Sequence, residues 1–138
     1  MIRAATSADI PALLDMGARF SERAALASNV GYDPDSMATT FERMIAGNEP
    51  VFMTDTAAIG AVVFQHPFNF SHTAAQELFW WSDGREGISL LKRLTEHCEA
   101  FCDSLTMITL EAVRPEATGR LYERMGFTPL EHSYTKVF

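Results

Sequence analysis

The sequence has only two cysteines, Cys98 and Cys102, in 138 residues. They stand four apart in a segment with helical spacing, where two thiols on adjacent turns rarely reach good disulfide geometry. No C-x-x-C pair or histidine cluster accompanies them, so no metal centre is expected and the thiols are expected to stay reduced. No apolar run is long enough to span a bilayer. The opening MIRAATSADIPALL scatters polar residues through the place where a signal peptide would be apolar. Repeats, low-complexity tracts and blocks of like charge are missing too, which excludes solenoids and disordered tails. Positive charge is scarce: 11 Lys and Arg stand against 18 Asp and Glu, a formal net charge of -7. A surface of that sign repels phosphate backbones and anionic lipid, so neither nucleic acid nor a membrane is expected as partner. The expectation is a cytoplasmic chain.

What is present is an ordinary globular composition, 47% hydrophobic and 21% charged, at the usual size of one domain, residues 1–138. Ile2 to Ala5 is a short strand. Ser7 caps a first helix, with Asp9 and Pro11 in its opening turn and Ile10, Leu13, Leu14, Gly17 and Phe20 on its buried face. Asn29 to Pro34 is a loop, and a second helix runs from Ser36 to Ala46, ended by Gly47. Pro50 to Thr54 and Ala58 to Phe64 form a hairpin about Asp55-Thr56-Ala57. His66 to His72 is a polar-aromatic loop. Gln76 to Trp81 (QELFWW) is apolar on both faces toward its end, as a central strand covered on both sides would be. The turn Ser82 to Gly87 opens a helix to about Cys102 with Leu91, Leu94, Cys98 and Phe101 on its inner stripe. Met107 to Ala112 alternates like a strand, and Pro115 suits the first turn of a last helix that Gly126 closes. Phe127 to Phe138 supplies one or two closing strands. The order β-α-α-β-β-β-α-β-α-β predicts an α/β fold with a mixed sheet.

The join between QELFWW and the following helix carries chemistry. A strand, a glycine turn and a helix N-terminus bring free backbone N–H groups and the positive end of a dipole to one place, a ready anion site. Gly87 allows close approach to the backbone, while Arg85 and Ser89 add a charge and a hydroxyl. Glycine turns before helices are common, and Gly84 and Gly87 could serve the turn alone. Further on, Gly119-Arg120-Leu121-Tyr122-Glu123-Arg124-Met125-Gly126-Phe127 closely resembles the LYE(K/R)xGF signature of the GNAT superfamily of acetyltransferases. The rest of the chain falls into that family's order. MIRAATSADIPALL resembles its opening strand and helix, GAVVFQ and QELFWW its central strands, and the glycine turn its pyrophosphate loop. The loop departs from the family's (Q/R)xxGx(G/A): with Gly87 as anchor, Gly84 stands at the Gln/Arg position and Ser89 at the last small one. The asparagine often found before the last helix is missing, with Pro115 or Glu116 near its place.

The resemblance implies a GNAT-like acyl-CoA N-acyltransferase fold, a central mixed sheet flanked by about four helices. It implies acetyl-CoA as cosubstrate, no metal, and direct transfer to a primary amine. It also implies a ligand lying along Phe79, Trp80 and Trp81, over Gly84, Arg85, Glu86, Gly87, Ile88 and Ser89, and against Thr118 and Tyr122. Such transfer needs a deprotonated amine, a donor to the oxyanion and a proton for the leaving thiolate. Tyr122, on a helical face with Thr118, Leu121 and Met125, is the candidate acid, and a core tyrosine is the alternative. Glu77, read as sharing a strand face with Phe79 and Trp81, is the first candidate base, and Glu111 the second. Either carboxylate could instead pair with an arginine. A backbone N–H near Trp80 or Trp81 would serve the oxyanion, though both tryptophans also suit a core. The loop His66 to His72 is expected to line the acceptor site with the first two helices. The departures in the loop support a second reading, a catalytically silent GNAT-like module that binds CoA or another partner. A homodimer is compatible with either.

Overall fold

The computed structural model describes residues 1–24 and 30–138. Five strands form one sheet in sequence order: β1 (Arg3–Ala4), β2 (Val51–Met53), β3 (Ala58–His66), β4 (Asn69–Trp81) and β5 (Ser104–Thr106). The first three pairings are antiparallel and the last, β4 with β5, is parallel. Among the described residues four α-helices accompany the sheet: α1 (Ile10–Arg23), α2 (Pro34–Ala46), α3 (Glu86–Phe101) and α4 (Pro115–Arg124). The mixed sheet and helix number match the expectation.

Side-chain alternation divides the core in two. Val51, Met53, Ala58, Phe79 and Trp81 meet Leu13, Met16, Phe41 and Met44 of α1 and α2 on one face. Phe52, Ile59, Ala61 and Ala75 meet Leu90, Leu91, Leu94 and Cys98 of α3 and Tyr122 of α4 on the other. Each of those leucines is fully buried, which contributes roughly 1.5–3 kcal/mol apiece by removal from water. Phe101, expected on that stripe, is exposed instead.

Several local expectations are corrected. Ser7 is not a helix cap but the first residue of a 3-10 turn, Ser7–Asp9. The Asp9 carboxylate there accepts from the Thr6 N–H at 2.8 Å and from both Arg3 guanidinium nitrogens at 2.7 Å, which holds it well below the usual carboxylate range. The second helix starts at Pro34, two residues early, because Asp33 accepts from the Ser36 N–H and caps it. Asn29 lies outside the described residues. The loop His66 to His72 is the end of a long hairpin: β3 runs through His66 and β4 begins at Asn69, leaving Pro67 and Phe68 as its turn.

The strand expected at Met107 to Ala112 and the one or two expected within Phe127 to Phe138 are not formed there. The ladder of β5 is only Ser104–Thr106, and Met107 to Leu110 leaves the sheet. After α4, Gly126 takes the left-handed conformation (φ 93°) that ends the helix. Residues 128–138 then run exposed and unpaired among the described residues.

Candidate active site

The site is a wedge where β4 and β5 part. Ala74, Ala75 and Gln76 pair with Ser104, Leu105 and Thr106. Beyond that point β4 continues to Trp81 while Met107 to Leu110 diverges from it. The divergence coincides with a bulge. Gly60 faces Phe79 and Ala61 faces Glu77 across the β3–β4 pair, so Leu78 is an extra, unpaired residue. A bulge inserts one residue, disrupts the ladder and re-aims neighbouring side chains.

The bulge corrects the expected face of Glu77. Counting by twos from Phe79 and Trp81 puts all three together, but the extra residue turns Glu77 to the other side, under α3 and α4. Phe79 and Trp81 belong to the core against α1 and α2. Their rings stack at 4.4 Å, and Phe41 meets both edge-on at 5.5 and 5.9 Å. Anything these two residues give to the wedge must come from their backbone. Trp80 does face the wedge, and its indole N–H donates to the Gly87 carbonyl at 3.2 Å.

Glu77 and Tyr122 meet at one peptide. The Ile108 N–H donates to Glu77 Oε2 at 2.8 Å, and the Tyr122 hydroxyl donates to the Ile108 carbonyl at 2.8 Å. The diverging wall thus recovers, from two side chains, the hydrogen bonds it gave up by leaving the ladder. Glu77 is only 9% exposed. Burial pushes its carboxyl up to about 7, against a smaller opposing effect of the Ile108 N–H. Tyr122 is buried too, and burial together with the nearby Glu77 charge pushes its phenol well above the ordinary value. Glu111 lies exposed in the turn after the wedge wall, so only Glu77 of the two candidate bases is buried.

The wedge is the base of a cleft of about 420 Å³. It reaches from Glu77 and Tyr122 to the glycine turn before α3, with Gly84, Gly87 and Ile88 on that side and Thr118 and Leu121 on the α4 side. The turn is built by its own contacts. Ser82 Oγ donates to the Gly84 carbonyl at 3.0 Å and accepts from the Gly84 N–H at 3.2 Å. A Cβ on Gly87 would stand 2.9 Å from the Ser82 side chain, so glycine is required there by packing as well as by any ligand. Arg85 and Ser89 are exposed and neither lines the cleft. The Glu86 carboxylate points away, accepting from Thr54 and Thr56 hydroxyls at 2.6 Å each, which lowers its pKa.

The structure therefore brings together Glu77, Trp80, Gly84, Gly87, Ile88, Thr118 and Tyr122. It leaves the Phe79, Trp81, Arg85, Glu86 and Ser89 side chains outside. The hairpin end His66 to His72 gives no residue to the cleft. It lies at the opposite end of β4, where His72 Nε2 meets Ser104 Oγ at 2.8 Å. Phe20 of α1 does reach the rim. Sequence reading missed the wall Ile108 to Leu110 and two arginines that line the cleft, Arg114 and Arg124. Arg124 stands at the K/R position of the C-terminal signature and was legible; nothing in the pattern marks Arg114. Among the described residues no group of three or more His, Cys, Asp or Glu could hold a metal ion, and no helix is long and apolar enough to cross a membrane.

No family model matches the sequence, and no curated protein matches it. Solved structures do resemble it along its whole length. A candidate acetyltransferase from Agrobacterium tumefaciens superposes with a TM-score of 0.74 at 17% identity, covering 100% of this chain and 99% of that one. A sequence-predicted acetyltransferase from Clostridium acetobutylicum, solved with acetyl-CoA, gives 0.71 at 16% identity, over 99% and 95% of the two chains. Glucosamine-6-phosphate N-acetyltransferase from Arabidopsis thaliana gives 0.68 at 15% identity, over 100% and 97%. At these identities the likeness is one of fold: the chain shares the fold of these acetyltransferases along its whole length.

Proposed function

We propose that this chain, acting as one domain over residues 1–138, moves an acetyl group from acetyl-CoA to a primary amine by direct attack on the thioester. One observation carries the reading. The wedge joins a buried carboxyl of raised pKa and a buried phenol, at its base, to a slot that opens on a helix N-terminus. The residues present fit such a ligand. Trp80, Ile88 and Leu121 offer apolar wall to a thin acyl-bearing arm, and the α3 N-terminus with the two arginines offers positive charge to phosphates.

An alkylamine with a pKa near ~10.4 arrives protonated. Glu77 is suited to take its proton, since a carboxyl titrating near 7 is ionised enough to act and basic enough to be effective. Tyr122 stays protonated throughout the neutral range and is a hydrogen-bond donor to the leaving sulfur if it releases Ile108. The acceptor enters past Phe20. The fold does not fix which amine that is. The reading carries with it a cytoplasmic enzyme that needs no metal.

A second reading has its own support. Both Glu77 and Tyr122 are already engaged with the Ile108 peptide, so both could be structural, in a module that binds CoA without turnover. Thiol release from acetyl-CoA, followed over a panel of alkylamines, amino sugars and peptides with free N-termini, separates the two. The proposal expects amine-dependent release that Glu77→Gln removes. Saturable CoA binding with no release on any amine would replace it with the silent module.

A further inference from the structure

Charge is distributed unevenly around the cleft. The chain is acidic overall, at -7, and its glycine turn contributes no cation to the cleft: Gly84 is uncharged and Arg85 is exposed outside the lining. The opposite wall does contribute. Arg114 and Arg124, at the two ends of α4, both line the cleft. Among the described residues the ion pairs are Arg3–Asp9, Arg19–Asp15 and Arg23–Asp83, so neither α4 arginine is neutralised by a carboxylate.

Arg114 carries a second mark. It sits at φ 42°, ψ 59°, left-handed backbone, in the residue just before α4. A residue with a Cβ is disfavoured there, and glycine or asparagine would hold the same turn with less strain. Strained backbone of this kind collects at ligand sites, where the side chain is wanted despite the conformation. The helix between the two arginines spans about 15 Å, a spacing that suits phosphates carried at separate points of one ligand better than a single anion.

We infer that the phosphate groups of the acyl-CoA are held by Arg114 and Arg124 from the α4 wall, and not by Arg85 in the glycine turn. This rests on the acyl-CoA reading of the cleft. The glycine turn then supplies backbone N–H groups and helix dipole, while the formal charge comes from across the slot. Guanidinium groups suit this work because they stay ionised and meet phosphate oxygens in a bidentate fork.

The test is calorimetric titration of the full chain with CoA and with pantetheine, which lacks the phosphates. The variants are Arg114→Gln, Arg124→Gln, Arg114→Gly and Arg85→Gln, with Arg43→Gln on α2 as a control for net charge. Arg114→Gln and Arg124→Gln should each weaken CoA about tenfold, the smaller end of what a charge-assisted contact contributes. Both should leave pantetheine binding unchanged, and Arg43→Gln should change neither. Arg114→Gly should weaken CoA as Arg114→Gln does while melting no lower than the parent, which separates charge from folding. Loss of CoA affinity in Arg85→Gln, with Arg114→Gln and Arg124→Gln both binding like the parent, would overturn the inference. So would equal losses for CoA and pantetheine. If the parent chain binds no CoA, the acyl-CoA reading itself fails, and titration with ADP and pyrophosphate then decides the charge assignment. Binding that both α4 variants lose would keep it, and no binding would end it.

Discussion

The two faces of β4 at the same height make the instructive comparison. Toward α1 and α2, Phe79 and Trp81 stack on each other and against Phe41, and the face is sealed. Toward α3 and α4, one residue away, Glu77 and Trp80 look into an open cleft. The strand is common to both, so the difference comes from the bulge at Leu78 and from the departure of Met107 to Leu110. One face is packing that fixes where the strand lies. The other spends that rigidity on a buried carboxylate and a buried phenol, groups that a simple core would not carry.

The comparison can be broken first at Glu77. Glu77→Gln keeps an acceptor for the Ile108 N–H but loses the base, and acetyl transfer should fall by roughly 100-fold to 10,000-fold, read as thiol release at saturating amine. Its stability should move the other way. The folded carboxyl titrates at about 7 against an ordinary 4.5, so the folded chain holds the proton more tightly. Glu77 thus contributes stability in full below pH 4.5, and this is lost as pH rises to about 7. Above that, burying the charge costs on the order of 3 kcal/mol. Glu77→Gln should therefore melt higher than the parent at pH 8 and lose the difference by pH 4. A variant less stable at both pH values would mean that the carboxylate is a structural anchor.

On the sealed face the expected effect is stability alone. Phe79→Ala should cost about 3–5 kcal/mol in denaturant unfolding, with CoA affinity of the folded protein close to the parent's. A large loss of affinity at unchanged stability would show that the faces are not independent.

Tyr122→Phe is intermediate. It leaves the Ile108 carbonyl without its donor, which costs about 1–3 kcal/mol, and should slow transfer by roughly tenfold without abolishing it. Abolished transfer would make Tyr122 essential to the chemistry.

The smallest effect belongs to the pH profile of the parent. The rate should rise with pH, pass half its maximum near pH 7 as Glu77 ionises, and level off about a unit higher. A profile flat from pH 5 to 8 would remove Glu77 as base.

What the sequence disclosed follows from the same comparison. Helices with a clear apolar stripe, such as α2 and α3, were readable to within a few residues, because periodicity is local. Tyr122 and the glycine turn were readable through the C-terminal signature and the strand-turn-helix pattern. The face of Glu77 was not, because a bulge leaves no mark in an alternating pattern: Leu78 looks like any other strand residue. The wall at Ile108 was read as strand because MITLEA alternates. Its backbone bonds go to Glu77 and Tyr122, distant in sequence, so no local rule could find them. The hairpin end was read as loop because of Pro67 and the polar residues beside it, yet two residues suffice for the turn.

The central claim is that one face of β4 holds the acyl-CoA and the other does not. Amide chemical-shift mapping of the isotopically labelled chain during an acetyl-CoA titration tests it most directly. The account predicts saturating shifts at Glu77 to Trp81, Gly84 to Ile88, Ile108 to Leu110 and Arg114 to Arg124, with Leu13, Met16, Phe41 and Met44 unmoved. Saturating shifts centred on α1 and α2, with the wedge unmoved, would contradict it.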